Sequence, residues 1–175
     1  PYISRRKNLV NGGHPWEKFQ TTVDQMLEDI RPLKNIKCTS DIYFQDSRKE
    51  NEQIEPESCN ICITSPPYLN NLDYGEVSKV HTHFFNITNN WNDITNKVRK
   101  NLVTGATTHY KEADFDIDAF KISEFAKNNE HLFTDLFNKF IQIKDIAKGR
   151  KGKKSFDILM MHYFEDMYFV LKEIR

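Results

Sequence analysis

A chain of 175 residues has the length of one domain, or of a large part of one, and can bury a sizeable core. Its 38% hydrophobic and 29% charged residues are the composition of a folded soluble protein rather than a disordered one. Lys plus Arg equals Asp plus Glu at 25 each, so there is no global cationic signature for nucleic acid and any such surface must be local. No run approaches the roughly 18 apolar residues of a membrane span, and no signal peptide is visible, so a cytoplasmic location is expected.

In chain order, two arginines, Arg5 and Arg6, lie in the first short run, and Asn11-Gly12-Gly13-His14-Pro15 reads as a turn. Trp16, Phe19, Val23, Met26, Leu27 and Ile30 recur at helical spacing, which predicts a core-packed helix ended by Pro32. Ser40 to Gln45 reads as a strand, with Asp46-Ser47-Arg48 as the loop at its end. Lys49 to Ser58 is polar and suits a surface connection. Cys59 to Ile63 reads as a second, buried strand, and the pattern then stops at Thr64-Ser65-Pro66-Pro67-Tyr68. Two prolines cannot donate to a sheet ladder and each fixes its φ, so the chain leaves the sheet in a stiff turn. Pro66 also pushes Ser65 toward the extended region. Ligands of open α/β sheets bind beyond strand carboxyl ends, which is where this turn would lie. Cys59-x-x-Cys62 lacks a second pair to complete four metal ligands. With Cys38, these residues read as buried reduced thiols, and no metal site is expected.

Tyr74 to Ile87 is compatible with a helix, and Trp91, Ile94, Val98 and Leu102 continue at helical spacing with Lys97, Arg99 and Lys100 on the other face. His81 and His83 are two apart and share no helix face. Val103 to Tyr110 is small and hydroxyl-rich, either a plain loop or a phosphate contact flanked by Arg99, Lys100 and Lys111. Asp116 to Asn128 and His131 to Ile146 read as two helices. Lys148-Gly149-Arg150-Lys151-Gly152-Lys153-Lys154 is the one concentrated basic run, suited to sequence-independent phosphate contact or to a solvated loop. Ser155 to Arg175 reads as a long helix with Ser155 as N-cap and a broad apolar stripe.

Thr64-Ser65-Pro66-Pro67-Tyr68, followed by Leu69-Asn70-Asn71-Leu72-Asp73-Tyr74, resembles the catalytic motif of S-adenosylmethionine-dependent DNA amino-methyltransferases, written (Ser/Asn/Asp)-Pro-Pro-(Tyr/Phe/Trp). The resemblance covers about residues 41–74 and, more weakly, 156–175. It implies transfer of a methyl group to an exocyclic base amine of DNA, with N4 of cytosine preferred over N6 of adenine because Ser begins the motif. It implies roles for Ser65, Pro66, Pro67 and Tyr68 in catalysis and for Asp46 as acceptor of the cofactor adenine amine, although Asp46 also reads as a turn carboxylate or helix cap. The family's glycine motif, roughly Phe-x-Gly-x-Gly after a strand, is absent here. The expected partners are therefore DNA and a remainder of the same polypeptide carrying that motif, and this chain alone is expected to be inactive.

An exocyclic amine is a poor nucleophile because its lone pair is delocalised into the ring. Two acceptors on one side favour the pyramidal nitrogen, and a carbonyl held by a proline pair is preorganised for that task. The resemblance assigns the acceptors to the Ser65 hydroxyl and the Pro66 carbonyl. The base must be flipped from the duplex at a cost of a few kcal/mol, and stacking on Tyr68 would recover about 1–3 kcal/mol. Arg99, Lys100, Lys148, Arg150, Lys151, Lys153 and Lys154 are the candidate DNA-backbone contacts. The fold class expected is α/β, part of a Rossmann-like methyltransferase sheet: residues 1–75 in the catalytic domain, 76–154 a helical insertion, 155–175 a helix returning to the sheet. Two other readings stay open, RNA base-amine methylation and a non-catalytic nucleic-acid-binding module in which Pro-Pro-Tyr is only a stiff turn.

Overall fold

A computed structural model describes residues 14–35, 38–70, 72–149 and 154–174. The chain forms two compact units, Pro1–Phe44 and Gln45–Arg175. Among the described residues every regular element is helical, which overturns the expected Rossmann-like sheet. Residues 38–46 and 59–68, expected to contain the two strands, carry no regular secondary structure, and no strand is present among the described residues. An extended segment leaves every N–H and C=O pointing sideways, so it becomes a sheet only where a second segment completes the ladder.

In the first unit, α1 (Pro15–Ile30) starts with proline at its first turn, where a missing N–H costs nothing, and His14 Nδ1 accepts from Trp16 N at 3.3 Å. The α-helix stops at Ile30 and tightens into a 3₁₀ turn, Arg31–Asn35. Trp16 stacks on Phe19 with centroids 5.5 Å apart. The apolar stripe forms at the expected spacing but buries nothing: Trp16, Phe19, Met26, Leu27 and Ile30 are all exposed. The expectation of a core helix is corrected accordingly.

The second unit is built around α8 (Phe156–Ile174). Five successive residues, Asp157 to Met161, are buried, so this helix is enclosed on more than one side. Its main partner is α7 (Glu130–Ala147), with α5 (Ile117–Lys121) and α6 (Glu124–Asn128) completing the layer. The single helix expected over 116–128 is two short ones. Ser123 interrupts it by accepting from Ala126 N and restarting the helix as an N-cap. The core joins Phe120, Phe125, Leu136, Phe140, Ile158, Met160 and Met161. Its aromatic rings meet edge-on or offset, Phe120 against Phe125 at 6.3 Å and 73° among them. Each such side chain contributes about 1.5–3 kcal/mol by leaving water.

The remaining helices of this unit are short. Asp73 caps α2 (Tyr74–Val77), which is followed by α3 (Lys79–Phe84) and α4 (Trp91–Asp93). A π turn, Ile94–Val98, and a 3₁₀ turn, Arg99–Asn101, follow α4 directly. That change of pitch rotates the stripe read as continuous from Trp91 to Leu102: Ile94 and Arg99 point inward together, while Trp91 stays half exposed. No described helix is long and apolar enough to cross a membrane.

Candidate functional site

Ser65-Pro66-Pro67-Tyr68 lies in an irregular, mostly exposed segment of the second unit. Ile61 and Ile63 are 79% and 93% exposed and Tyr68 is 66% exposed. The expectation that Cys59 to Ile63 forms a buried strand is therefore corrected. So is the expectation of buried thiols: Cys38, Cys59 and Cys62 are all exposed and unbonded to one another.

Helix α8 ties the turn down. The Tyr163 hydroxyl donates to the Pro67 carbonyl at 3.1 Å, across 96 residues of sequence. One turn further on the same helix face, Asp166 takes a second tether. Its Oδ1 accepts from Arg48 Nη1 at 2.9 Å, and its Oδ2 accepts from Thr104 N at 2.8 Å and Thr104 Oγ1 at 2.6 Å. Thr104 has one hydroxyl proton and the carboxylate has none to give. The 3.1 Å bond between Thr104 Oγ1 and Tyr110 Oη is thus donated by Tyr110.

Arg48 in turn grips Asp46 through Nε to Oδ1 at 2.9 Å and Nη2 to Oδ2 at 2.8 Å, while the Arg48 backbone N–H also donates to Oδ1. These bonds hold the Asp46 carboxyl below its ordinary range, and the same pairing raises the Arg48 guanidinium, burial opposing both. The fork is planar and bidentate, the strong form of a charge-assisted bond. The two sequence-predicted sites, Asp46 and the Ser65–Tyr68 turn, are thereby tied to one face of α8, at Asp166 and Tyr163.

A second polar cluster forms on Asp73. Arg99 Nη2 donates to Asp73 Oδ2 at 2.6 Å and Nε reaches both carboxylate oxygens, while Thr108 Oγ1 donates at 2.7 Å and Glu76 N at 3.1 Å. Burial pushes the Asp73 carboxyl up, but these bonds outweigh it and hold it below the ordinary range. Gly75 admits Arg99 here: a Cβ at that position would lie 2.7 Å from Arg99 Cγ. The His109 side chain is 2% exposed, with neither ring nitrogen hydrogen-bonded among the described residues and Nε2 3.9 Å from Asp73 Oδ1. Burial pushes this imidazole down, Asp73 opposing and Arg99 reinforcing.

Arg99, expected on an open cationic face, is buried and committed to Asp73 and Thr95, with its guanidinium 4.7 Å from the Trp91 ring centre. Its contact with a phosphate backbone is corrected for that reason. Lys100, Lys148 and Lys154 are exposed, Lys148 beside Asp145 at 2.7 Å. Arg150, Lys151 and Lys153 lie outside the described residues. Ser155 donates to Glu112 Oε2 at 3.3 Å.

Sequence reasoning missed Arg48, Tyr163, Asp166 and His109. A signal existed for Asp166: it interrupts the stripe Leu159, Tyr163, Val170 at a helical position, where a carboxylate needs a partner. For S-adenosylmethionine, the described residues supply one fitting group. Asp46 Oδ2 accepts a single bond and keeps a lone pair for an amine. They supply no glycine-lined cradle: Gly75 and Gly105 face Arg99 and Tyr74, and Gly149 has nothing within 4 Å of its Cβ position. These residues alone do not fit the whole cofactor. Comparison with protein-family models, with curated proteins and with solved structures finds no match to this chain.

Proposed function

We propose that this chain carries the amine-binding turn of a DNA amino-methyltransferase that uses S-adenosylmethionine, with N4 of cytosine preferred over N6 of adenine. One observation supports the reading above the others. Tyr163 anchors the turn through the Pro67 carbonyl, while the Ser65 hydroxyl and the Pro66 carbonyl have no protein partner among the described residues. A turn so held presents two adjacent, unsatisfied acceptors on a stiff backbone, which is what a two-hydrogen amine donor requires.

In this reading Ser65 Oγ and the Pro66 carbonyl each accept one amine hydrogen and draw the nitrogen toward its pyramidal form. The exposed Tyr68 ring stacks on the flipped base. Bound S-adenosylmethionine supplies the methyl group. Asp46 is the acceptor for its adenine amine, and the missing glycine cradle is assigned to a remainder of the polypeptide. Lys100, Lys148 and Lys154 are assigned to the DNA backbone, as are Arg150, Lys151 and Lys153 by their charge in the sequence, and the enzyme acts in the cytoplasm.

Methyl transfer to duplex DNA, assayed in the longer polypeptide that this reading requires, should fall at least tenfold in Ser65→Ala while DNA affinity persists. Unchanged turnover removes Ser65 from the chemistry. A non-catalytic nucleic-acid module is the second reading, favoured by the absence of a glycine cradle among the described residues. It prevails if the polypeptide binds DNA but not S-adenosylmethionine.

A further inference from the structure

A cavity of about 310 Å³ opens between α3 and α4, away from the residues given a role above. It falls within the size range of small-ligand sites, roughly 300–1,000 Å³. Ile94, 2% exposed, and Val80 give it an apolar lining, and Trp91, half exposed, forms one wall.

The walls are braced before any ligand arrives. Thr88 is 1% exposed and donates from Oγ1 to Thr82 Oγ1 at 2.9 Å, while its carbonyl meets His83 Nδ1 at 3.0 Å. Asn90 Oδ1 caps α4 by accepting from Asp93 N at 2.9 Å. Trp91 is fixed by the buried Arg99 guanidinium, itself locked to Asp73. Removing freedom in advance lowers the entropic cost of binding.

The polar groups left at the rim are mostly donors. Among the described residues, Trp91 Nε1, Asn90 Nδ2 and the Asn89 side chain have no hydrogen-bond partner, and Lys79 Nζ has no carboxylate within 4 Å. Lys79 Nζ hovers 5.1 Å from the Trp91 ring centre, a weak hold for a flexible cation. A flat body carrying acceptors along its edge, with an anion attached, satisfies these at once. An unstacked nucleobase with its phosphate is such a ligand: the base lies on Trp91, amides meet its edge, and Lys79 swings to the phosphate.

We propose that this cavity is a binding site for an unpaired base of a single DNA strand, additional to the Ser-Pro-Pro-Tyr turn, the choice of DNA resting on the function proposed above. Its occupation does not require methyl transfer, so it goes beyond the function proposed above.

Trp91 is both platform and reporter. The sequence has only two tryptophans, and Trp16→Phe leaves Trp91 alone. Titration of that variant with a short oligothymidylate should quench the indole emission. An abasic strand of equal length and charge should bind at least tenfold more weakly and leave the emission unchanged. Val80→Phe fills the cavity without touching the stack of Trp91 on Arg99, and it should weaken oligothymidylate binding by about tenfold. Because Trp91→Leu could unsettle Arg99, Val80→Phe is the deciding variant. Three results overturn the proposal: no strand binding, binding with unchanged Trp91 emission, or equal affinity in Val80→Phe. Ser65→Ala should leave the quench intact. Quenching in a longer polypeptide that binds S-adenosylmethionine yet transfers no methyl group keeps this site and removes the methyltransferase reading.

Discussion

Two stretches of the second unit carry similar apolar side chains and treat them in opposite ways. From α5 to α8, Phe120, Phe125, Leu136, Phe140 and Met161 vanish into one cluster. From Gln45 to Leu72, Ile54, Ile61, Ile63, Tyr68 and Leu69 stay exposed. The difference lies in the backbone. A helix satisfies its own N–H and C=O groups, so an amphipathic helix needs only a neighbouring stripe to bury its face. A stretch that forms no helix has to find partners for those groups elsewhere first. What holds this irregular stretch in place is therefore polar and sparse: Arg48 to Asp166 and to the Leu102 carbonyl, and Tyr163 to Pro67.

Substitutions sharpen this contrast, and the largest effects belong in the helical cluster. Phe125→Ala, at a 1% exposed site, should cost about 3–5 kcal/mol in chemical denaturation. Ile63→Ala, at 93% exposure, should change stability by under about 0.5 kcal/mol. Equal losses would mean that residues 45–72 pack in solution.

Asp166→Asn should come next. It leaves Arg48 facing a neutral amide in a mostly buried position and should cost about 2–4 kcal/mol. Protease cleavage between Gln45 and Leu72 should accelerate more than cleavage within α7. Uniform acceleration would show that Asp166 supports the whole unit rather than residues 45–72.

A pH titration separates His109 from the carboxylates. Burial sets the folded His109 pKa below its unfolded value of about 6.5. The unfolded chain then takes up the proton first, so the contribution is fully present above about pH 6.5 and declines as pH falls below it. Asp46 and Asp73 have lowered folded pKa values, so their contributions persist above about pH 4 and are lost only in stronger acid. His109→Phe should flatten the stability curve between pH 7 and 5 and leave the acid limb in place. A slope unchanged by that substitution would assign it to other groups.

Among the tethers, the smaller effect is expected from Tyr163→Phe, about 0.5–1.5 kcal/mol for one hydrogen bond. Its sharper readout is hydrogen exchange in residues 64–70, which should speed up while the core amides of α8 do not. No local change would release the turn from its supposed anchor.

The helices of this protein were legible from residue spacing because their stabilising contacts repeat within the segment: α1, α7 and α8 begin and end within a residue or two of the expected positions. The restriction at Pro66 and Pro67 was legible too, since proline fixes φ whatever surrounds it, but residues 61–68 show no assigned turn. Pairing and burial were not. Ser40 to Gln45 and Cys59 to Ile63 have the composition of strands, yet a strand exists only through a partner that no local pattern names. Trp91 to Leu102 has helical periodicity, yet a π turn shifts its phase and carries Arg99 inward to Asp73, 26 residues away. The same holds for α1, whose spacing determines an apolar stripe but not whether anything covers it. Local propensity depends on near neighbours and can be read along the chain. Which face is buried, and which carboxylate meets which guanidinium, depends on contacts between distant residues, and only the folded chain decides them.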